Sequence, residues 1–195
     1  DVYIASTKDG RILKKIIEGN NSTDFEELHI LTPGLAWSPD GRNIAISLKA
    51  GGSDIIYIID VVSEDRKEFP LNFDGIKYIG WSPDGKKFSF IGTKKEKPDL
   101  YIYDIKGKKL ENLTNDIFTD SNPTWAADGK SIFFTSDRGS FTDPSKIPND
   151  FKMWEYDYSR NDYYRIDIAT KEITRLSHSK DAKESYVQIN SDGSK

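Results

Sequence analysis

Trp37-Ser38-Pro39-Asp40-Gly41 recurs as Trp81-Ser82-Pro83-Asp84-Gly85 and, in altered form, as Trp125-Ala126-Ala127-Asp128-Gly129. The turn glycines stand at 41, 85, 129 and 193, in steps of 44, 44 and 64 residues. A fixed period of this size marks a structural repeat. Proline presets φ at the second position of a type I turn, aspartate braces the turn through its side chain, and glycine takes the left-handed position that closes a bulged hairpin. The motif is therefore a hairpin turn before it is anything else.

The segments around each turn alternate with a period of two, as half-buried strands do. In the first full repeat, residues 34–38, 43–48, 55–61 and 66–71 are predicted as four strands, with Ile44, Ile46 and Leu48 opposite Asn43, Ala45 and Ser47. The second repeat places strands at 78–82, 87–91, 100–105 and 108–113, and the third at 123–126, 131–136, 163–168 and 172–177. No capped segment keeps a 3.6-residue period, so no helix is expected within the repeats. Residues 1–17 match the later two strands of a repeat, since Asp1-Val2-Tyr3-Ile4-Ala5 parallels Asp99-Leu100-Tyr101-Ile102-Tyr103. Residues 186–195 begin a further unit.

A four-stranded antiparallel unit of this length is the signature of an all-β propeller, whose sheets bury their faces against one another. The expected organisation is one domain with complete blades at 34–71, 78–113 and 123–177 and partial blades at 1–17 and 186–195. Combining the terminal pieces into a fourth blade leaves its second strand missing. An arc of a larger propeller, of about six or seven blades, is the expectation instead.

Composition narrows the function. A net charge of −4 speaks against a nucleic-acid surface, which needs clustered Lys and Arg. The absence of cysteine excludes disulfides and thiolate metal sites. The longest apolar run, Ile55-Ile56-Tyr57-Ile58-Ile59, is far too short to cross a bilayer, so no membrane insertion is expected. The chain begins at Asp1 rather than Met, so the lack of a visible leader carries no weight. There is no G-x-S-x-G elbow, no H-E-x-x-H and no glycine-rich phosphate loop, and the reading is of a protein that is not an enzyme and takes no cofactor.

The 64-residue step contains an insertion of about twenty residues in the third blade, within 138–162. Loops of this length without regular structure are functional or disordered, and aromatic density argues against disorder. Arg138, Phe141, Phe151, Trp154, Tyr156 and Tyr158 are the candidate binding residues. Loops between second and third strands share a propeller face with the blade-to-blade connections, so the insertion is expected at the mouth of the central channel. Its aromatics either anchor a partner or form a satellite core beneath the loop. Asp116, Asp120, Asp143, Asp150 and Asp157 lie in loops of that face, but no stretch has the ligand spacing of a calcium loop, and no metal is assigned. Asp60, Asp104 and Asp167 recur at one point of the third strand and are read as turn braces. Trp37, Trp81 and Trp125 are read as blade-packing residues, and His29 and His178 as surface residues.

Trp-Ser-Pro-Asp-Gly-Lys/Arg, the strand Lys87-Phe88-Ser89-Phe90, Ser136-Asp137-Arg138 and Tyr164-Arg165-Ile166-Asp167-Ile168-Ala169-Thr170 together resemble the WD-like repeats of TolB-type propellers. The resemblance spans nearly the whole chain. It implies a periplasmic or secreted scaffold, as in the Tol-Pal envelope system, holding a protein, peptide or glycan on its loop-bearing face. The same repeat also occurs in the propeller domains of prolyl-oligopeptidase-like serine peptidases, where it gates access to a catalytic domain, and a saccharide lyase or hydrolase is a third alternative. The chain departs from the TolB pattern in two ways: the third blade carries the insertion, and these 195 residues include no counterpart of the N-terminal TolB domain.

Overall fold

The repeated turn closes in the same way in both intact copies. The Ser38 and Ser82 hydroxyls donate to Asp40 and Asp84, at 2.5 and 2.7 Å, and accept the backbone N–H of Asn43 and Lys87, at 2.8 and 2.9 Å. The aspartates also accept from the N–H groups of Arg42 and Lys86, at 3.0 and 3.1 Å. Gly41, Gly85 and Gly129 all sit near φ +68, +68 and +67, a conformation that a side chain would strain. In the third copy Ala126 replaces the serine, and Asp128 still receives the Lys130 N–H at 2.9 Å.

A computed structural model describes residues 1–18, 27–28, 34–156, 160–178 and 184, with 27–28 described by backbone alone. The first strands are β1 (Val2–Ala5), β2 (Ile12–Ile17) and β3 (Glu27–Leu28). The first full blade is β4 (Leu35–Trp37), β5 (Asn43–Ala50), β6 (Ser53–Asp60) and β7 (Arg66–Phe73), with β3 added on β5 at Glu27 and Leu28. The second is β8 (Gly75–Trp81), β9 (Lys87–Lys94), β10 (Lys97–Asp104) and β11 (Lys109–Asn112). The third is β12 (Asp120–Trp125), β13 (Ser131–Ser136), β14 (Asp162–Asp167) and β15 (Ile173–Arg175). Every pairing is antiparallel between sequence neighbours, apart from β3 on β5. The predicted strands differ from these mainly at their ends, where hairpin pairing carries β5, β7, β9 and β10 further than hydrophobic alternation alone marks. Among the described residues there is no α-helix, only 3-10 turns at Pro144–Lys146 and Met153–Glu155. Residues 186–195, expected to open a further blade, lie outside the described residues.

Three cores separate the sheets. Ile16 and Ile17 of the N-terminal hairpin pack on Ile44-side residues Ile46, Leu48, Tyr57 and Ile59 of the first blade. Between the first and second blades, Phe69 and Phe73 meet Phe88, Phe90, Tyr101 and Tyr103 edge-on, with centroids 4.7 to 5.8 Å apart. Between the second and third, Ile91, Leu100 and Ile102 face Ile132, Phe134, Tyr164 and Ile166. Each large side chain removed from water contributes about 1.5–3 kcal/mol, so these packed faces are a major source of stability. The fourth strand β7 is exposed along most of its length, as an outer edge should be.

The tryptophans bind blade to blade. Trp81 Nε1 donates to the Ala36 carbonyl and Trp125 Nε1 to the Gly80 carbonyl, each at 3.1 Å and each across 45 residues. Asp60, Asp104 and Asp167 brace the turn after the third strand: Asp60 accepts from Val62 and Ser63, Asp104 from Gly107, and Asp167 from Ala169 and Thr170.

Candidate binding surface on the third blade

Asp137 to Asn161 join β13 to β14, and their base is a buried charge. Arg138 has no exposed surface. Its Nη1 meets Asp116 at 2.8 Å, its Nη2 meets Asp120 at 2.6 Å, and its Nε donates to Ser136 Oγ at 3.1 Å. The guanidinium carbon lies 5.2, 5.6 and 5.7 Å from the ring centres of Phe134, Tyr164 and Phe118. A guanidinium so placed satisfies its planar donors and stacks on π faces at once. Asp137 faces the same connection, accepting the Thr119 N–H at 2.8 Å. Burial is the largest influence on Asp116 and raises its pKa to about 6, even against the attraction of Arg138. Burial likewise raises Asp99 and Asp137.

Phe118 carries the next layer. It is 2% exposed and stacks on Phe141 at 5.6 Å, and its ring meets Phe151 and Tyr156 at 5.9 and 6.1 Å. Phe141, Phe151 and Tyr156 also touch one another, at 5.1 to 5.9 Å. Gly139, at φ +54, lies so close to the Tyr156 hydroxyl that no β-carbon fits, and its carbonyl accepts from the Tyr164 hydroxyl at 2.7 Å. On this aromatic base the turn Met153–Glu155 is held by Glu155 N–H to Lys152 O and Tyr156 N–H to Met153 O, at 3.0 and 3.2 Å. Trp154 stands at its crest, 77% exposed.

The six candidate residues therefore divide. Arg138 is corrected from surface contact to interior brace, because two carboxylates and three rings enclose it. Phe141, Phe151 and Tyr156 form the satellite core, Trp154 projects into solvent, and Tyr158 lies outside the described residues. Sequence reasoning missed Phe118, the residue on which the insertion rests; its signal was an aromatic between Asp116 and Asp120 in a short polar connection. Those aspartates were noted only as weak cation candidates, and their charge is directed at Arg138. Among the described residues no three carboxylate or imidazole groups gather as metal ligands. His178 is exposed, and His29 lies outside the described residues. A polar cleft of about 370 Å³ runs between Thr142–Lys146 and Thr170–Ile173; on its walls Lys171 pairs with Glu111 at 2.5 Å, Lys146 pairs with Asp143 at 3.4 Å and Asp143 also holds Ser145.

Stacked antiparallel sheets whose tryptophans donate to carbonyls in the first strand of the preceding sheet define a β-propeller arc. The sequence profile of the TolB beta propeller domain matches residues 19–147, and the chain belongs to that family. The crystal structure of TolB from Acinetobacter baumannii is 26% identical, with a TM-score of 0.63, covering 84% of this chain and 35% of its own. A protein from Agrobacterium tumefaciens assigned as TolB is 24% identical, with a TM-score of 0.61, over 80% of this chain and 50% of its own. Oligogalacturonate lyase from Vibrio parahaemolyticus shares the fold at 11% identity and a TM-score of 0.56, over 89% of this chain and 45% of its own. The chain thus spans about a third to a half of these structures. Curated proteins compared by sequence give no significant match.

Proposed function

We propose that this chain is the binding part of an extracytoplasmic TolB-like scaffold, without catalysis of its own, and that it holds a protein, peptide or glycan partner on the face bearing the insertion. The observation that carries the reading is Trp154, 77% exposed on a turn whose base is four packed rings and a buried ion triad. An indole offers a large contact area for two torsions, and a rigid mount lowers the ordering cost of binding. Family membership supports the extracytoplasmic setting, and fold alone links the chain to the lyase propeller.

The test pans the wild-type chain and Trp154→Ala against a random peptide library and a glycan array. Ligands selected on wild type should bind Trp154→Ala at least about tenfold more weakly, as hot-spot truncations do. Ligands that bind both proteins equally would overturn the assignment of the surface. Cleavage or elimination products from an array glycan would overturn the non-catalytic reading.

A further inference from the structure

The turns at 82–85 and 126–129 stand side by side at the end of the blades away from the insertion. The β13–β14 pairing sets that direction, with Ser136 opposite Asp162 at the insertion end and Ser131 opposite Asp167 at the turn end. Pro83 reaches across the junction, its Cδ 3.7 Å from where a β-carbon on Gly129 would stand. Beside this contact lies a cavity of about 340 Å³. Trp125, Pro83 and Ala127 are its apolar walls, and Asp84, Asp128 and Lys87 are its charged groups. The indole wall is fixed, because Trp125 Nε1 donates to the Gly80 carbonyl at 3.1 Å. The repeat is altered at this place. The hydroxyls of Ser38 and Ser82 donate to Asp40 and Asp84, but Ala126 offers Asp128 none, and among the described residues the Lys130 N–H, at 2.9 Å, is the donor that Asp128 keeps. Asp84 meets the Lys86 ammonium at 3.4 Å, with both side chains more than half exposed, a pair that a ligand displaces at little cost. Lys87 stands opposite Asp104 in the β9–β10 pairing and its charge also acts on Glu111, so carboxylate is in excess around the cavity.

We infer that this cavity binds an arginine side chain of a partner peptide, with the aliphatic stem against Trp125, Pro83 and Ala127 and the guanidinium between Asp84 and Asp128. The molecule already holds one guanidinium by the same means: Arg138 lies between Asp116 and Asp120, at 2.8 and 2.6 Å, with the ring centres of Phe134, Tyr164 and Phe118 at 5.2 to 5.7 Å. A planar fork of donors engages two carboxylates at once and sheds water readily beside an aromatic wall, whereas a lysine ammonium is a compact and more strongly hydrated charge. An anion in the same place would face two carboxylates against a single lysine. The site lies at the other end of the blade from Trp154 and stands independently of the binding role given to that residue.

The probe is Nα-acetyl-arginine methylamide, titrated into the isotope-labelled 195-residue chain and followed by NMR at the Gly129 N–H and the Trp125 Nε1–H. The citrulline analogue, which keeps the shape without the charge, and inorganic phosphate are titrated beside it. Arginine should move both signals saturably, and citrulline should bind at least about tenfold more weakly. Asp128→Asn, whose side-chain oxygen still accepts the Lys130 N–H, should weaken arginine about threefold or more, and Lys87→Gln, which removes the cation lining the cavity, should strengthen it. Four results would overturn the inference: no saturable shift at these two groups; citrulline binding as well as arginine; arginine affinity unchanged in folded Asp128→Asn or lowered in Lys87→Gln; or phosphate occupying the cavity and lost in Lys87→Gln.

Discussion

Trp37, Trp81 and Trp125 hold one place in the repeat and meet three degrees of burial, which makes them a graded test of how blades adhere. Trp125→Ala should cost about 3–5 kcal/mol by emptying a filled site. Trp81→Ala should cost less, because Trp81 is only partly buried, and Trp37→Ala should fall within about 0.5 kcal/mol. Denaturant unfolding of the three variants checks the order, and equal losses would contradict it. The packing role was legible from the 44-residue spacing; the gradient was not, since it depends on what the preceding blade offers. Arg138 was misjudged for a similar reason. Its partners lie 22 and 18 residues earlier, and no local pattern discloses that pairing. Arg138→Met should lower stability by about 3–5 kcal/mol, leaving two buried carboxylates uncompensated.

At the scale of elements, the Ser-Pro-Asp-Gly turns announced the hairpins because each residue type answers a local need: a preset φ, a braced N–H, a left-handed glycine. The insertion announced only its length and its aromatic content. Which rings turn inward was decided by Phe118, from a different connection, and by the room at Gly139. Gly139→Ala should push Tyr156 away and loosen the Met153–Glu155 turn while leaving the blade cores intact. The expected result is faster amide exchange across residues 139–156 with unchanged exchange in β9 and β10. Loss of protection throughout the chain would show that the insertion is integral to the blades.

For the whole molecule, acidity acts in two opposing windows. The Asp60 carboxylate is lowered to about 2, chiefly by the Ser63 N–H, so its contribution is present above 3.8 and lost as pH falls toward 2. Asp116 is shifted the other way. Between 3.8 and about 6 the folded chain keeps a proton there that the unfolded chain has released, so lowering the pH from 7 to 5 favours the fold. Asp99 and Asp137 act in the same sense. Thermal melts should therefore rise by about 2–5 °C from pH 7 to pH 5, for a gain on the order of 1–2 kcal/mol, and Asp116→Asn should flatten the rise. A steady fall in Tm over that range would contradict this account of the buried cluster.

The central claim is that the insertion is a fixed mount whose crest binds and whose base only supports. Paired calorimetry on Trp154→Ala and Phe118→Ala, with a ligand selected on wild type, tests it most directly. Trp154→Ala should weaken binding about tenfold or more with Tm within about 1 °C, whereas Phe118→Ala should weaken binding and cost about 3–5 kcal/mol of stability. Full affinity in Trp154→Ala, or a Tm collapse equal to that of Phe118→Ala, would assign Trp154 to packing and contradict the claim.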